Sequence, residues 1–104
     1  MVLETLISKQ LAELRNEIDE VDLKIMELLL KRFYLAKQAA QEKTEFSRIY
    51  DAERELQIIE SAFEFFNSCE IKVSKQFIAD FFKAVLDESK RQLKSEFIKL
   101  HKND

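Results

Sequence analysis

The stretch "LLLKRFYLAKQAAQEK", Leu28 to Lys43, places an arginine in line with an apolar helical stripe. Upstream of it, apolar residues recur at alternating steps of three and four, the period of a helix that packs along one face. These residues are Leu11, Leu14, Ile18, Val21, Ile25 and Leu28, and the stripe resumes after the arginine at Leu35 and Ala39. We call these eight positions the seam. Arg32 occupies the step between Leu28 and Leu35, so a permanent cation stands in line with a predicted core.

The composition restricts the fold to helices. The chain has 104 residues and contains neither glycine nor proline, so most hairpin turns and glycine-based helix caps are unavailable. Charged residues make up 36% and hydrophobic residues 46%, a balance typical of amphipathic helices rather than of a disordered chain. We therefore expect one all-α domain over residues 1–104.

The same composition disfavours several classes of function. No stretch reaches the roughly 18 uninterrupted apolar residues of a membrane span, and the opening MVLETLISKQ does not have the pattern of a secretion signal. The formal net charge of −3 argues against nucleic acid or an anionic membrane as a partner. The single cysteine, Cys69, has no neighbours at metal-ligand spacing. We expect a cytoplasmic protein that binds no metal and needs no cofactor.

Three helices can be drawn along the chain. The first is predicted from about Thr5 to Lys43, the second from about Asp51 to Phe66 and the third from about Lys75 to Lys99. In the second connection, NSCEIKVS (67–74), Ser74 is predicted to be the N-cap of the third helix.

The length of the first helix predicts a second copy of the chain. A helix of about 39 residues is roughly 58 Å long, whereas a compact domain of about 100 residues has a radius of gyration of about 13 Å. The two shorter helices can therefore shield only part of the seam. We predict an intertwined homodimer, in which a second copy packs antiparallel about a two-fold axis.

Polar residues recur at positions that face inward. Arg32 and Lys43 are eleven residues apart, which places both on one helical face, about 20° from each other. Arg15 lies about 100° from Arg32 around the same helix. In the second helix Glu55 lies in line with apolar positions, and in the third helix Ser89 continues an apolar stripe.

Each of these residues also has an ordinary structural explanation. An arginine near a seam usually extends its charged head to solvent or pairs with an acid. Near a helix start, Glu55 would stabilise the helix dipole and Asp51 would be an N-cap. The set as a whole is harder to explain in this way, because burying unpaired cations is costly unless an anion completes the cluster. Guanidinium groups bind carboxylates through two parallel hydrogen bonds, so the set predicts a small carboxylated ligand.

The segment from about Leu11 to Gln92 resembles the all-helical class of chorismate mutases. The family pattern is L-x-x-L-R-x-x-I-D-x-x-D, then L-L-x-x-R, a lysine eleven residues further on, and D-x-x-R-E at the start of the second helix. The matching parts here are Leu11 to Asp22, Leu28 to Arg32, Lys43, and Asp51 to Glu55. The resemblance implies an intertwined dimer of three-helix chains that share their active sites.

The resemblance further implies a Claisen rearrangement of chorismate to prephenate, a unimolecular step in aromatic amino acid biosynthesis. In that reading, Arg15 reaches into the other subunit's site and binds a substrate carboxylate. Arg32 binds a carboxylate in its own subunit's site, and Ser89 lines the carboxylate side. The arginine in the seam is then explained, because the seam is part of the substrate site.

The other implied roles concern the hydroxyl and the ether oxygen of the substrate. Asp51 and Glu55 match the groups that hold the hydroxyl, and Arg54 matches a supporting position beside them. Lys43 matches the lysine that donates a hydrogen bond to the ether oxygen of the breaking bond.

The sequence departs from the family pattern on the third helix. The family has glutamine or glutamate four residues after the serine, opposite the lysine on the ether oxygen. Here that position is Leu93, and Gln92 comes one residue earlier. Either the third helix shifts so that Gln92 enters the site, or Leu93 faces the site and one of the two contacts to the ether oxygen is missing. We expect Gln92 to turn into the site opposite Lys43.

Three alternatives stay open. An isochorismate pyruvate lyase uses a similar cationic scaffold for a different pericyclic reaction, although the D-x-x-R-E element favours the mutase. A non-catalytic dimeric binding module of the same fold is the second alternative. A plain helical interaction protein is the third, and it would leave the inward cations unexplained.

Overall fold

Three helices make up almost all of the chain that the structure describes. The computed structural model describes the backbone of residues 2–42 and 52–102, and the side chains of residues 8–42 and 52–95. Its helices are α1 (Val2–Gln41), α2 (Ala52–Asn67) and α3 (Lys75–Lys102). The predicted all-α class and the three helices are confirmed, and their ends differ from the predicted ones by at most three residues. Two compact units are present, Met1–Leu35 and Ala36–Asp104.

The first unit contains most of α1, which is 40 residues long and therefore extends over about 60 Å. No glycine or proline interrupts it, so the helix continues through every charged cluster along its length. The seven large apolar side chains of the seam in this unit are all exposed, from 45% at Ile25 to 65% at Leu28. Single exposed apolar side chains are ordinary, but a continuous stripe of them marks an interaction surface.

In the second unit, α2 and α3 pack against each other as an antiparallel hairpin. Ser74 begins α3 as an N-cap: the Phe77 backbone N–H donates to Ser74 Oγ at 3.1 Å, and the Ile78 N–H donates to the Ser74 carbonyl oxygen at 3.2 Å. This cap satisfies one of the backbone donors that a helix start leaves without an intrahelical partner. The prediction for Ser74 is confirmed.

The end of α2 is closed by side chains, because the chain has no glycine to form the usual left-handed cap. Ser68 Oγ donates to the Phe65 carbonyl oxygen at 2.8 Å, and Cys69 Sγ donates to the same oxygen at 3.2 Å. Lys72 Nζ donates to the Asn67 carbonyl oxygen at 3.0 Å. No residue of the described ranges has a positive φ, so the hairpin turns without a strained backbone position.

The core of the hairpin is small. Among the described residues its buried apolar side chains are Ala62 on α2 and Ile78 and Val85 on α3. Aromatic side chains such as Phe65 and Phe77 remain exposed, although Phe65 packs edge-on against Phe66 at a centroid distance of 5.1 Å. The hairpin therefore presents further apolar surface that its own core does not cover.

Candidate active site

A buried hydroxyl lies at the centre of the inner face of α3. Ser89 continues the stripe of Ile78 and Val85 and is only 7% exposed, as its position in the sequence predicts. Among the described residues, Ser89 Oγ has no hydrogen-bond partner. A buried hydroxyl without a partner costs roughly 1–3 kcal/mol. Buried polar groups in native proteins are nearly always satisfied, so such an exception indicates a ligand or a functional role.

A salt bridge joins the two helices beside this hydroxyl. Lys90 Nζ lies 2.5 Å from Glu55 Oε1, and the two side chains are 24% and 26% exposed. Lys90 follows Ser89 directly and is rotated from it by about 100° around α3, and its side chain reaches α2 at Glu55. Glu55 therefore faces inward, as predicted, and its carboxylate contacts α3 through Lys90.

On the other side of Ser89, the Glu88 carboxylate accepts hydrogen bonds from two neighbouring side chains of α3, Arg91 and Gln92. Arg91 Nε and Nη2 donate to the two carboxylate oxygens of Glu88 at 2.9 and 2.7 Å, and Gln92 Nε2 donates to Glu88 Oε2 at 2.8 Å. The hydrogen bond from Arg91, and after it that from Gln92, lowers the pKa of Glu88 from 4.5 to about 2. Glu88 also raises the pKa of Arg91. This part of α3 therefore carries an ion pair in which the charge of Glu88 is balanced by that of Arg91.

Gln92 and Leu93, the two candidates for the position opposite Lys43, lie on opposite sides of Ser89 around α3. Gln92 is rotated by about 60° toward the side of Glu88, and Leu93 by about 40° toward the side of Lys90. Both side chains are half-buried. The Gln92 amide already donates one hydrogen bond to Glu88, and its second N–H is a further donor. Its role opposite Lys43 remains a prediction.

The two arginines of the candidate site lie on α1, in the unit Met1–Leu35. Arg32 is half-buried and Arg15 is exposed. Lys43 and Asp51 lie outside the described residues. Arg54 is exposed and directly precedes Glu55 on α2. Of the predicted site residues on the hairpin, Glu55 contacts Lys90 on α3, and Ser89 directly precedes Lys90 in the sequence.

Sequence reasoning missed the partners of these groups. No signal within α3 identifies the contact between Lys90 and Glu55, because it depends on how α3 packs against α2. The contacts of Glu88 with Arg91 and Gln92 follow the i, i+3 and i, i+4 spacing that pairs side chains along a helix.

A separate cleft of about 280 Å³ lies at the turn end of the hairpin. Its apolar lining includes Phe63, Phe66 and Ile78. Its cations are already engaged, because Lys72 Nζ donates to a backbone carbonyl oxygen and Lys75 Nζ lies 5.9 Å from the centroid of the Phe63 ring. The lining of this cleft includes neither Glu55 nor Ser89.

Two general features complete the description. In the described part of the chain, no group of three His, Cys, Asp or Glu side chains is arranged to hold a metal ion. No helix in that part has a stretch both long enough and apolar enough to cross a membrane.

The fold and these residues define an all-helical protein with a long first helix and a charged, hydroxyl-bearing hairpin. The family model for chorismate mutase type II matches residues 14–94. The chain belongs to this family. All the predicted site residues fall within the matched segment; they are Arg15, Arg32, Lys43, Asp51, Arg54, Glu55, Ser89 and Gln92. Neither the curated proteins nor the solved structures include a significant match.

Proposed function

We propose that the chain is a homodimeric chorismate mutase that converts chorismate to prephenate in the cytoplasm, as part of aromatic amino acid biosynthesis. The observation that carries the proposal is the buried Ser89 hydroxyl, which has no partner among the described residues, in a chain of this family. Residues 1–104 act as one catalytic domain. The rearrangement is unimolecular, so the chemistry calls for no cofactor.

Catalysis of this step has two requirements. The substrate dianion must be held in a compact, chair-like conformer, and negative charge that develops on the ether oxygen must be stabilised. Fixed cations and hydrogen-bond donors in a site closed from water meet both requirements, because they need little reorganisation as the bond breaks. No nucleophile or general base takes part.

The carboxylates of the substrate are bound by arginines and by the buried hydroxyl. Arg32 binds a carboxylate in the site of its own subunit, and Arg15 reaches into the site of the partner subunit. Ser89 donates its O–H on the carboxylate side, which satisfies the hydroxyl that has no partner in the described chain. Guanidinium groups suit this task because their paired N–H groups match a carboxylate.

The remaining residues act on the hydroxyl and the ether oxygen. Asp51 and Glu55 accept a hydrogen bond from the ring hydroxyl, and Arg54 supports them. Lys43 donates to the ether oxygen from one side. Gln92 donates from the other side through the N–H that Glu88 does not take.

The second copy of the chain is proposed from the exposed seam. Seven large apolar side chains of the seam, each about half exposed, would together gain roughly 5–10 kcal/mol per chain on burial. Burial against the same stripe of a second copy is self-complementary about a two-fold axis. The dimer also completes each site, since Arg15 then comes from the partner.

The proposal is tested by incubating the purified chain with chorismate and identifying the product by liquid chromatography and mass spectrometry. Prephenate is the expected product. A parallel incubation with isochorismate tests the lyase alternative, which would release pyruvate. Arg32→Ala should lower kcat/KM by at least about 10²-fold while the dimer stays folded. Lys31→Ala, which removes an exposed cation from the same helical turn, is the matched control and should have little effect. If the parent neither binds nor converts chorismate, the chain is a non-catalytic module and the proposal is wrong.

A further inference from the structure

The salt bridge between Lys90 and Glu55 differs from the other ion pairs of α3. Lys83 and Asp87 lie 3.9 Å apart at i, i+4 spacing on an exposed face, and Arg91 pairs with Glu88 on the same helix. Lys90 instead crosses to α2 and contacts Glu55 at 2.5 Å, with both side chains about three-quarters buried. The pair therefore fixes the position of a carboxylate between two helices.

The contact leaves the carboxylate able to accept further hydrogen bonds. Lys90 Nζ contacts Glu55 Oε1, and the two oxygens of an ionised carboxylate can together accept about four hydrogen bonds. The carboxylate can therefore also accept one from a ligand. The residue before Lys90 on α3 is Ser89, whose buried hydroxyl has no partner among the described residues.

Stability alone does not explain the pair. Partly exposed ion pairs contribute little to the free energy of unfolding, because screening and the loss of side-chain entropy offset the attraction. We therefore explain Lys90 by its effect on the position of the Glu55 carboxylate and not by a contribution to the free energy of unfolding. A charge-assisted contact with a neighbouring cation restricts the rotamers of a carboxylate.

We propose that Lys90 is a positioning residue for the hydroxyl of the substrate. It holds the Glu55 carboxylate in place between α2 and α3, so that the carboxylate can accept a hydrogen bond from the ring hydroxyl. Lys90 then sets the preference of the site for a hydroxyl-bearing dicarboxylate, without contacting the substrate itself. This inference rests on the proposed function, since it requires Glu55 to face the ligand.

The test compares two ligands that differ only in the hydroxyl. The probes are a bicyclic dicarboxylate that mimics the chair-like transition state and the same compound with hydrogen in place of the hydroxyl. Their dissociation constants are measured by isothermal titration calorimetry, so the readout does not depend on turnover. The variants are Lys90→Met, Lys90→Arg and Glu55→Gln, and Lys83→Met is the control because it removes an exposed lysine from the same helix.

The parent is expected to prefer the hydroxyl-bearing ligand by at least about tenfold, the effect of one hydrogen bond to a charged acceptor. Lys90→Met should lose most of that preference, as Glu55→Gln does, whereas Lys90→Arg should regain much of it and Lys83→Met should keep it. If Lys90→Met weakens both ligands equally or leaves the preference intact, Lys90 has no positioning role, although the proposed function stands. If the parent binds neither ligand, both the proposed function and this inference are wrong.

Discussion

Replacing Ser89 by alanine should make the protein more stable and less able to bind its substrate. The side chain is 7% exposed and its hydroxyl has no partner among the described residues. Removing an unsatisfied buried hydroxyl recovers roughly 1–3 kcal/mol. Alanine adds about 0.5 kcal/mol through its higher helix propensity, and the void left by one oxygen offsets about 0.3 kcal/mol. The free energy of unfolding should therefore rise by about 1–3 kcal/mol.

The measurement is urea unfolding followed by circular dichroism, with parent and variant at the same protein concentration, because the stability of a dimer depends on it. Ser95→Ala is the matched control: Ser95 lies on the same helix and is exposed, so it should gain only the propensity contribution. In parallel, Ser89→Ala should weaken binding of the bicyclic dicarboxylate by about 10- to 100-fold, since it loses a hydrogen bond to a charged group.

Opposite signs in the two measurements would identify Ser89 as a residue retained for function at a cost in stability. If Ser89→Ala instead lowers the free energy of unfolding relative to Ser95→Ala, the hydroxyl has a structural partner in the assembled protein. If ligand affinity does not change, Ser89 is not part of the site. Either result would refute the reasoning.

Three further predictions follow from α3. Ser74→Ala should lower the free energy of unfolding by about 1 kcal/mol through loss of the N-cap, whereas Ser74→Asp should keep it in the same urea assay. The Glu88 carboxyl should titrate by NMR with a pKa of about 2, well below its ordinary 4.5, and Arg91→Ala should raise that pKa; a parent value near 4.5 would contradict the hydrogen bonds. Because the folded-state pKa is lowered, the stability that Glu88 contributes is present above pH 4.5 and is lost as the pH falls through about 2. Gln92→Ala should reduce kcat by about 10²-fold and Leu93→Gln should not raise it; the reverse pattern would place position 93 on the substrate.

The helices could be predicted from the sequence because their signals are local. Apolar residues at steps of three and four indicate α-helices, and the chain has no glycine or proline to interrupt them. Ser74 indicates the start of α3, and the structure confirms it as an N-cap. The burial of Ser89 followed from the same period, since its position continues the stripe of Ile78 and Val85.

The partners of the site residues could not be predicted in this way. Which carboxylate Lys90 meets depends on the register of α2 against α3, and no periodicity within one helix specifies that register. The hydrogen bonds of Gln92 depend on which acceptors lie near its amide. The sequence predicts that the amide faces the ligand, whereas in the structure one of its N–H groups donates to Glu88. The pairing of one chain with another is likewise a property of the assembly, and the exposed seam predicts only that a partner is needed.

The most direct test of the central claim, a chorismate mutase dimer with shared sites, is complementation between two inactive variants. Arg15→Ala and Arg32→Ala should each be inactive as homodimers, because each removes one carboxylate anchor from both sites. When equal amounts are unfolded and refolded together, half of the dimers are mixed, and each mixed dimer has one intact site built from Arg32 of one chain and Arg15 of the other. The account predicts prephenate formation at about a quarter of the parent rate per chain, and none when the same proteins are mixed without refolding. A refolded mixture as inactive as its components would contradict it.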